Sequence, residues 1–112
     1  MTLTSNAAWI LLLIAGLLEI VWSLSMKASA GFTRYPYTLV TLVAACASFW
    51  LLGLSLRSLP VGTAYAVWTG IGAVGAATLG ILLFGEPATL PRIGCIALIV
   101  VGIFGLKLLS ES

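Results

Sequence analysis

The sequence predicts an all-α membrane protein with four transmembrane helices per chain, and three observations carry that expectation. The 112 residues are 62% hydrophobic and only 7% charged, with a mean hydropathy of +1.22, far too apolar for a water-soluble domain of this length. The apolar residues gather in four runs, approximately 7–27, 37–56, 63–84 and 93–109. Each run can cross a bilayer, since 20 helical residues at ~1.5 Å rise cover ~30 Å of hydrocarbon. The separators, roughly Lys27 to Pro36, Arg57 to Gly62 and Gly85 to Arg92, are short and hold the Gly, Pro and charged residues that end helices. No soluble domain or linker stands apart from them, so the chain reads as one domain over 1–112 whose activity lies within the bilayer.

The first run contains Glu19, several turns from either end of an otherwise uncharged stretch. A carboxylate at that depth is costly, and such a group usually binds something, pairs with something or moves protons. The alternative is a protonated Glu in a structural interhelical hydrogen bond. Ala28-Ser29-Ala30 has the small-x-small form of a signal-peptide cleavage site. However, Met1 to Asn6 carry no Lys or Arg, the run is longer than an h-region and it holds Glu19, so it is expected to be retained as a span. Leu12, Ala15, Gly16, Trp22, Ser23 and Met26 share the Glu19 face by helical spacing, a stripe suited to a cavity wall. Trp22 is also placed to be an interfacial anchor, a role that suits Trp9 better still.

On the second run Thr41, Ala44, Ala45, Ser48, Leu52 and Ser55 fall on one face. Ser48 could bond the Glu19 carboxyl or a ligand, although a membrane Ser more often bonds its own backbone or permits close packing. Phe49 and Trp50 point away from that face and read as lipid-facing or packing aromatics.

The third run opens with Leu59-Pro-Val-Gly-Thr-Ala-Tyr-Ala-Val-Trp-Thr-Gly-Ile-Gly72. Tyr65 and Trp68, three apart, share a face, and Trp68 lies ~8 Å deeper than Thr63, which argues against an aromatic-belt role for it. A buried carboxylate, indole faces and a phenol are the parts of a cation site. Gly70, Gly72, Gly75 and Gly80 follow, allowing either close packing or a kink that could act as a hinge. The fourth run has no polar residue in its core, and Gly94, Ala97, Gly102 and Gly105 make it the favoured seam for self-association. Lys107 can snorkel to the membrane surface.

Several function classes are excluded. The net charge of +2 is five Lys and Arg against three Glu scattered along the chain, which gives no nucleic-acid-binding surface. Histidine is absent, and Cys46 and Cys95 lie in separate runs, so no zinc set, Cys-His nucleophile or disulfide framework is expected. Both cysteines read as small buried apolar residues. No nucleophile, metal set or second core carboxylate accompanies Glu19, so neither enzyme nor cofactor is expected.

Four spans place Arg57 and Lys107 on one side and Lys27, Arg34 and Arg92 on the other. Such near balance predicts insertion in both orientations unless one residue, such as Arg34, decides. Four helices enclose little interior, whereas many transporters set their site between two inverted repeats. No internal repeat is visible, so an antiparallel second copy would supply the other half.

These features carry a resemblance. The four short spans, the Glu19 to Trp22 spacing, Lys27 followed by Gly31-Phe32-Thr33-Arg34, and the 59–72 segment look like the small multidrug resistance family over nearly the whole chain. Gly-Phe-Thr-Arg, Trp22 and Ser48 resemble its guanidinium-exporting subtype more than its drug-exporting one. The resemblance implies an antiparallel, dual-topology homodimer in the bacterial inner membrane that exchanges protons for guanidinium. It implies Glu19 as the shared proton and substrate carboxylate, Trp22, Ser48, Tyr65 and Trp68 as the lining of the site, and Gly70, Gly72 and Gly75 as the flexible part of the third helix. Ser23, Ser25, Met26 and Ala28 depart from the subtype's pattern and leave the substrate range open. An exporter of quaternary ammonium or polyaromatic cations is the rival within the family. From other classes, a non-transporting membrane subunit and a cation channel without proton coupling also stay open.

Overall fold

A computed structural model describes residues 5–110, so 1–4 and 111–112, Glu111 among them, lie outside the described residues. Four helices account for nearly all of it: α1 (Ser5–Ala28), α2 (Tyr35–Ser55), α3 (Val61–Phe84) and α4 (Leu90–Ser110). All four are long and apolar enough to cross a membrane. The helices begin earlier than the apolar runs suggest, because Pro36 and Pro91 sit in the first turns of α2 and α4. There the missing N–H costs nothing, since the first four N–H groups of a helix have no partner within it. Arg92 is thereby brought inside α4.

The connections are built by local chemistry. Between α1 and α2 the buried Ser29 donates from Oγ to the Met26 carbonyl at 2.6 Å and accepts the Phe32 N–H at 3.0 Å. Its carbonyl accepts the N–H groups of Thr33 and Arg34. These bonds hold a turn in which Ala30, Gly31 and Phe32 all have positive φ. The small-x-small tripeptide is therefore the end of α1 and the start of a folded turn, and α1 packs against both α2 and α3. Pro60 caps the start of α3, and Gly85, at φ +67°, ends it in the left-handed conformation that glycine adopts without steric cost.

The helices stand in a row in the order α2, α1, α3, α4, with α1 packed on α2 and α3, α4 packed on α3, and a smaller contact between α2 and α3 beside α1. The chain extends 42 × 35 × 16 Å, little more than one helix thick. Its narrow core consists of Ala8, Leu12 and Ala15 of α1 with Leu59, Ala64, Val67 and Trp68, and α2 adds the buried Thr41, Ala44, Ser48 and Ser55. The α2 face read from helical spacing is the face that is buried. Thr41 and Ser55 satisfy their hydroxyls on the Tyr37 and Leu52 carbonyls of their own helix.

In such a thin row most apolar side chains face outward. Cys46 and Cys95 are free and exposed, which corrects their reading as buried residues: α2 and α4 are the outer members of the row and present most of their surface to lipid. Trp9 lies near the start of α1 with the Lys107 ammonium 5.1 Å from its ring centroid, a cation–π contact where an anchor and a snorkelling lysine would meet. On α4, Ile99 and Ile103 pack on Gly70, while Gly94, Ala97 and Gly102 are exposed.

The α1–α3 contact depends on glycine. A Cβ at Gly16 would come within 2.7 Å of Ile71 Cγ2, a branched side chain with no free rotation to yield. Gly16→Ala is expected to cost about 1–3 kcal/mol by overpacking, read as a lower unfolding midpoint in detergent. Gly53→Ala, where a Cβ meets nothing within 4 Å, is expected to be neutral or slightly stabilising.

Candidate substrate site

The site grows from the pairing of α1 with α3. Glu19 sits mid-span on α1, half-buried, and its carboxyl lies against Gly72 of α3, where a Cβ would overlap Oε1. Gly75 accepts Ile20 in the same way one turn on. The α3 glycines thus make the space that the Glu19 side chain fills, and α3 itself runs unbroken from Val61 to Phe84.

Ser48 joins three helices. Its Oγ donates to the Ala15 carbonyl of α1 at 2.7 Å and accepts the indole Nε1–H of Trp68 at 2.9 Å. Ser48 is fully buried and Trp68 nearly so. The hydroxyl is therefore committed to holding a backbone group and an indole in place and is not bonded to the Glu19 carboxyl. It holds the Trp68 Nε1 close to Ala15, one turn before Glu19 on α1.

An aromatic chain extends from there. Trp68 contacts Tyr65 at 5.6 Å between centroids and Phe49 at 5.7 Å, and Phe49 meets Trp22 edge-on at 6.2 Å. Trp22, Ser48, Tyr65 and Trp68 are thus connected, with Trp22 and Glu19 one turn apart on α1 and Tyr65 at the exposed end. Phe49 is a packing aromatic, one of the two roles its place in the sequence allows: it lies 100° round from Ser48, yet its ring meets both indoles, which helical spacing alone does not indicate. Trp50 is 70% exposed and does face outward.

Two buried polar atoms have no hydrogen-bond partner among the described residues: Glu19 Oε2, an acceptor, and Trp22 Nε1, a donor. Leaving such groups unmade is expensive, and each one calls for an explanation. Among the described residues no group of three or more His, Cys, Asp or Glu could hold a metal ion.

The geometry defines a class of protein: a multi-pass membrane protein with one carboxyl and a set of aromatic rings within its spans. Comparison with known proteins makes this specific. Residues 7–99 match the profile of the Small Multidrug Resistance protein family. A curated relative from Yersinia pseudotuberculosis, named guanidinium exporter, is 59% identical over 103 residues, covering 92% of this chain and 99% of its own. Proteins of the same name from Citrobacter freundii and Escherichia coli are 57% and 56% identical over 101 residues, 90% of this chain and 96% of theirs. The chain belongs to the small multidrug resistance family, as the resemblance read from its motifs implies, and is a multi-pass protein of the inner membrane.

Ser48→Ala would strand the Trp68 donor in the interior and is expected to cost about 1–3 kcal/mol, seen as a lower unfolding midpoint with a changed tryptophan emission. Ser55→Ala, whose hydroxyl bonds only its own helix, is expected to cost less than about 1 kcal/mol in the same assay.

Proposed function

We propose that this chain exports guanidinium in exchange for protons, with Glu19 binding each in turn. The observation that carries the reading is the Glu19 carboxyl, set mid-span against Gly72 with Oε2 buried and unpartnered. A relative named guanidinium exporter that aligns with 92% of the chain supports the choice of cargo.

The chemistry follows from the groups present. A carboxyl can carry a proton or, once it has lost it, pair with a cation, so the two compete for Glu19. Guanidinium is planar and presents paired N–H donors that match both oxygens of a carboxylate, so its arrival stabilises the charged form and expels that proton. The faces of Trp22 and Trp68 provide cation–π surfaces. Ser48 keeps the Trp68 indole in position, and Phe49 and Tyr65 brace the indoles from the sides. If proton and cation exclude one another and only loaded protein changes orientation, exchange is obligatory and an inward proton gradient drives export. The chain acts as a transporter and not as an enzyme.

We assign the second half of the transporter to another copy of the chain in antiparallel orientation. A row 16 Å thick leaves Glu19 only half-buried and most apolar side chains exposed, and the near balance of Lys and Arg between the two sides allows insertion either way. Gly70, Gly72 and Gly75 are proposed as the hinge region. At these positions α3 meets Ile103, Glu19 and Ile20 with no side chain of its own, so a bend or slide of α3 has no α3 side chain to repack there.

The test is proton release from detergent-solubilised protein in weak buffer. Guanidinium should release protons, tetraethylammonium should not, and Glu19→Gln should abolish the response. Release by both cations would favour the broad drug exporter, and no release by either would favour a non-transporting subunit. Gly72→Ala forces a methyl group against the Glu19 carboxyl and is expected to cut guanidinium affinity at least tenfold, a loss of about 1.4 kcal/mol of binding, measured by titrating the same proton signal.

A further inference from the structure

The described residues hold one carboxyl besides Glu19, that of Glu86, and its placement is specific. Gly85 ends α3, and the Glu86 N–H turns back to the Gly80 carbonyl at 3.3 Å. This lays the Glu86 side chain over Gly80, where a Cβ would overlap Oε1. From the first turn of α4, Arg92 donates from Nη2 to the same Oε1 at 3.1 Å. The pair closes one end of a cleft of about 290 Å³ between α1 and α3, lined also by Ser23, Lys27, Ala76 and Phe84. Both partners are partly exposed, Arg92 at 39% and Glu86 at 34%.

The cleft continues the helix faces that hold Glu19. Ser23 and Lys27 lie one and two turns beyond Glu19 on α1, and Ala76 and Gly80 lie one and two turns beyond Gly72 on α3. Glu86 is thus ~12 Å further along the α1–α3 groove, at its outer end. We infer that Glu86 is a second guanidinium-recognising carboxylate, an outer docking site where the Arg92 guanidinium holds the place of the cargo until a cargo ion displaces it. This deepens, and rests on, the reading of the chain as a guanidinium exporter. The competitor and the cargo are the same chemical group. Arg92 makes one hydrogen bond to a partly exposed carboxylate, a weak pair, whereas a free guanidinium can engage both oxygens at once. The other cation in the cleft, Lys27, is drawn over the Phe84 ring at 5.5 Å. Without the Glu86 charge the cleft would present Lys27 and Arg92 alone and repel an approaching cation.

The experiment measures guanidinium exchange in proteoliposomes alongside proton release in detergent, for the wild type, Glu86→Gln, Arg92→Gln and the double variant. Glu86→Gln should raise KM about threefold or more while keeping proton release at saturating guanidinium. Arg92→Gln, which frees the carboxylate, should lower KM, and the double variant should follow Glu86→Gln because no carboxylate remains to be freed. Gly80→Ala, which unseats Glu86 but keeps its charge, should raise KM and guards against a folding defect in Glu86→Gln. Equal increases in Glu86→Gln and Arg92→Gln would make the pair a mere staple of the α3–α4 loop, and values within twofold of wild type for both would remove it from the path; either overturns the proposal. Absence of proton release from the wild type would instead overturn the exporter reading beneath it.

Discussion

The structure depends on one buried hydrogen-bonded relay, in which the Trp68 indole donates to Ser48 and Ser48 donates to the Ala15 carbonyl. In a bilayer there is no water to take over an abandoned donor, so this relay must be complete or the helices must separate. It ties α1, α2 and α3 together at one level and orients an indole beside the single carboxyl within the spans. The same bonds that hold the row together therefore shape the site. A core this narrow has no separate scaffold on which the site could be mounted.

Glycine provides the second constraint. Lipid is as apolar as the helix surfaces it would replace, so helices associate in membranes through close packing more than through the hydrophobic effect. Gly16, Gly70, Gly72 and Gly75 each receive a side chain from a neighbouring helix, and at Gly72 that side chain is the Glu19 carboxyl. Removing side chains from one face of α3 both brings α1 near and leaves room for a polar group at mid-span. It also leaves α3 with no side chain of its own to repack at those positions, a property suited to an element proposed to move. Packing and proposed motion thus draw on the same residues.

Much of this was legible in the sequence. Composition and the length of the apolar runs determined a four-helix membrane protein, since burying backbone in lipid admits few alternatives once the runs are long enough. Glu19 announced itself by cost, and spacing placed Trp22 on its face and Tyr65 beside Trp68. The motifs of the 59–72 segment were enough to point to the family. The exposure of Cys46 and Cys95 was misread because residue type says nothing about whether an apolar side chain meets protein or lipid.

What only the tertiary structure decided are the contacts between helices. Ser48 could bond the Glu19 carboxyl or a ligand by periodicity, with its own backbone the commoner partner, and its commitment to Ala15 and Trp68 follows from how α2 leans on α1. Phe49 joined the aromatic chain because ring size overrides a 100° difference in helical angle. Gly72 received Glu19, and Gly80 received Glu86, through the register between helices, which is set by packing and leaves no periodic trace in the chain. The sequence by itself determined which groups lie in the membrane, because their transfer cost is a property of each residue. The fold decided which of them meet, because hydrogen bonds and close contacts are properties of pairs.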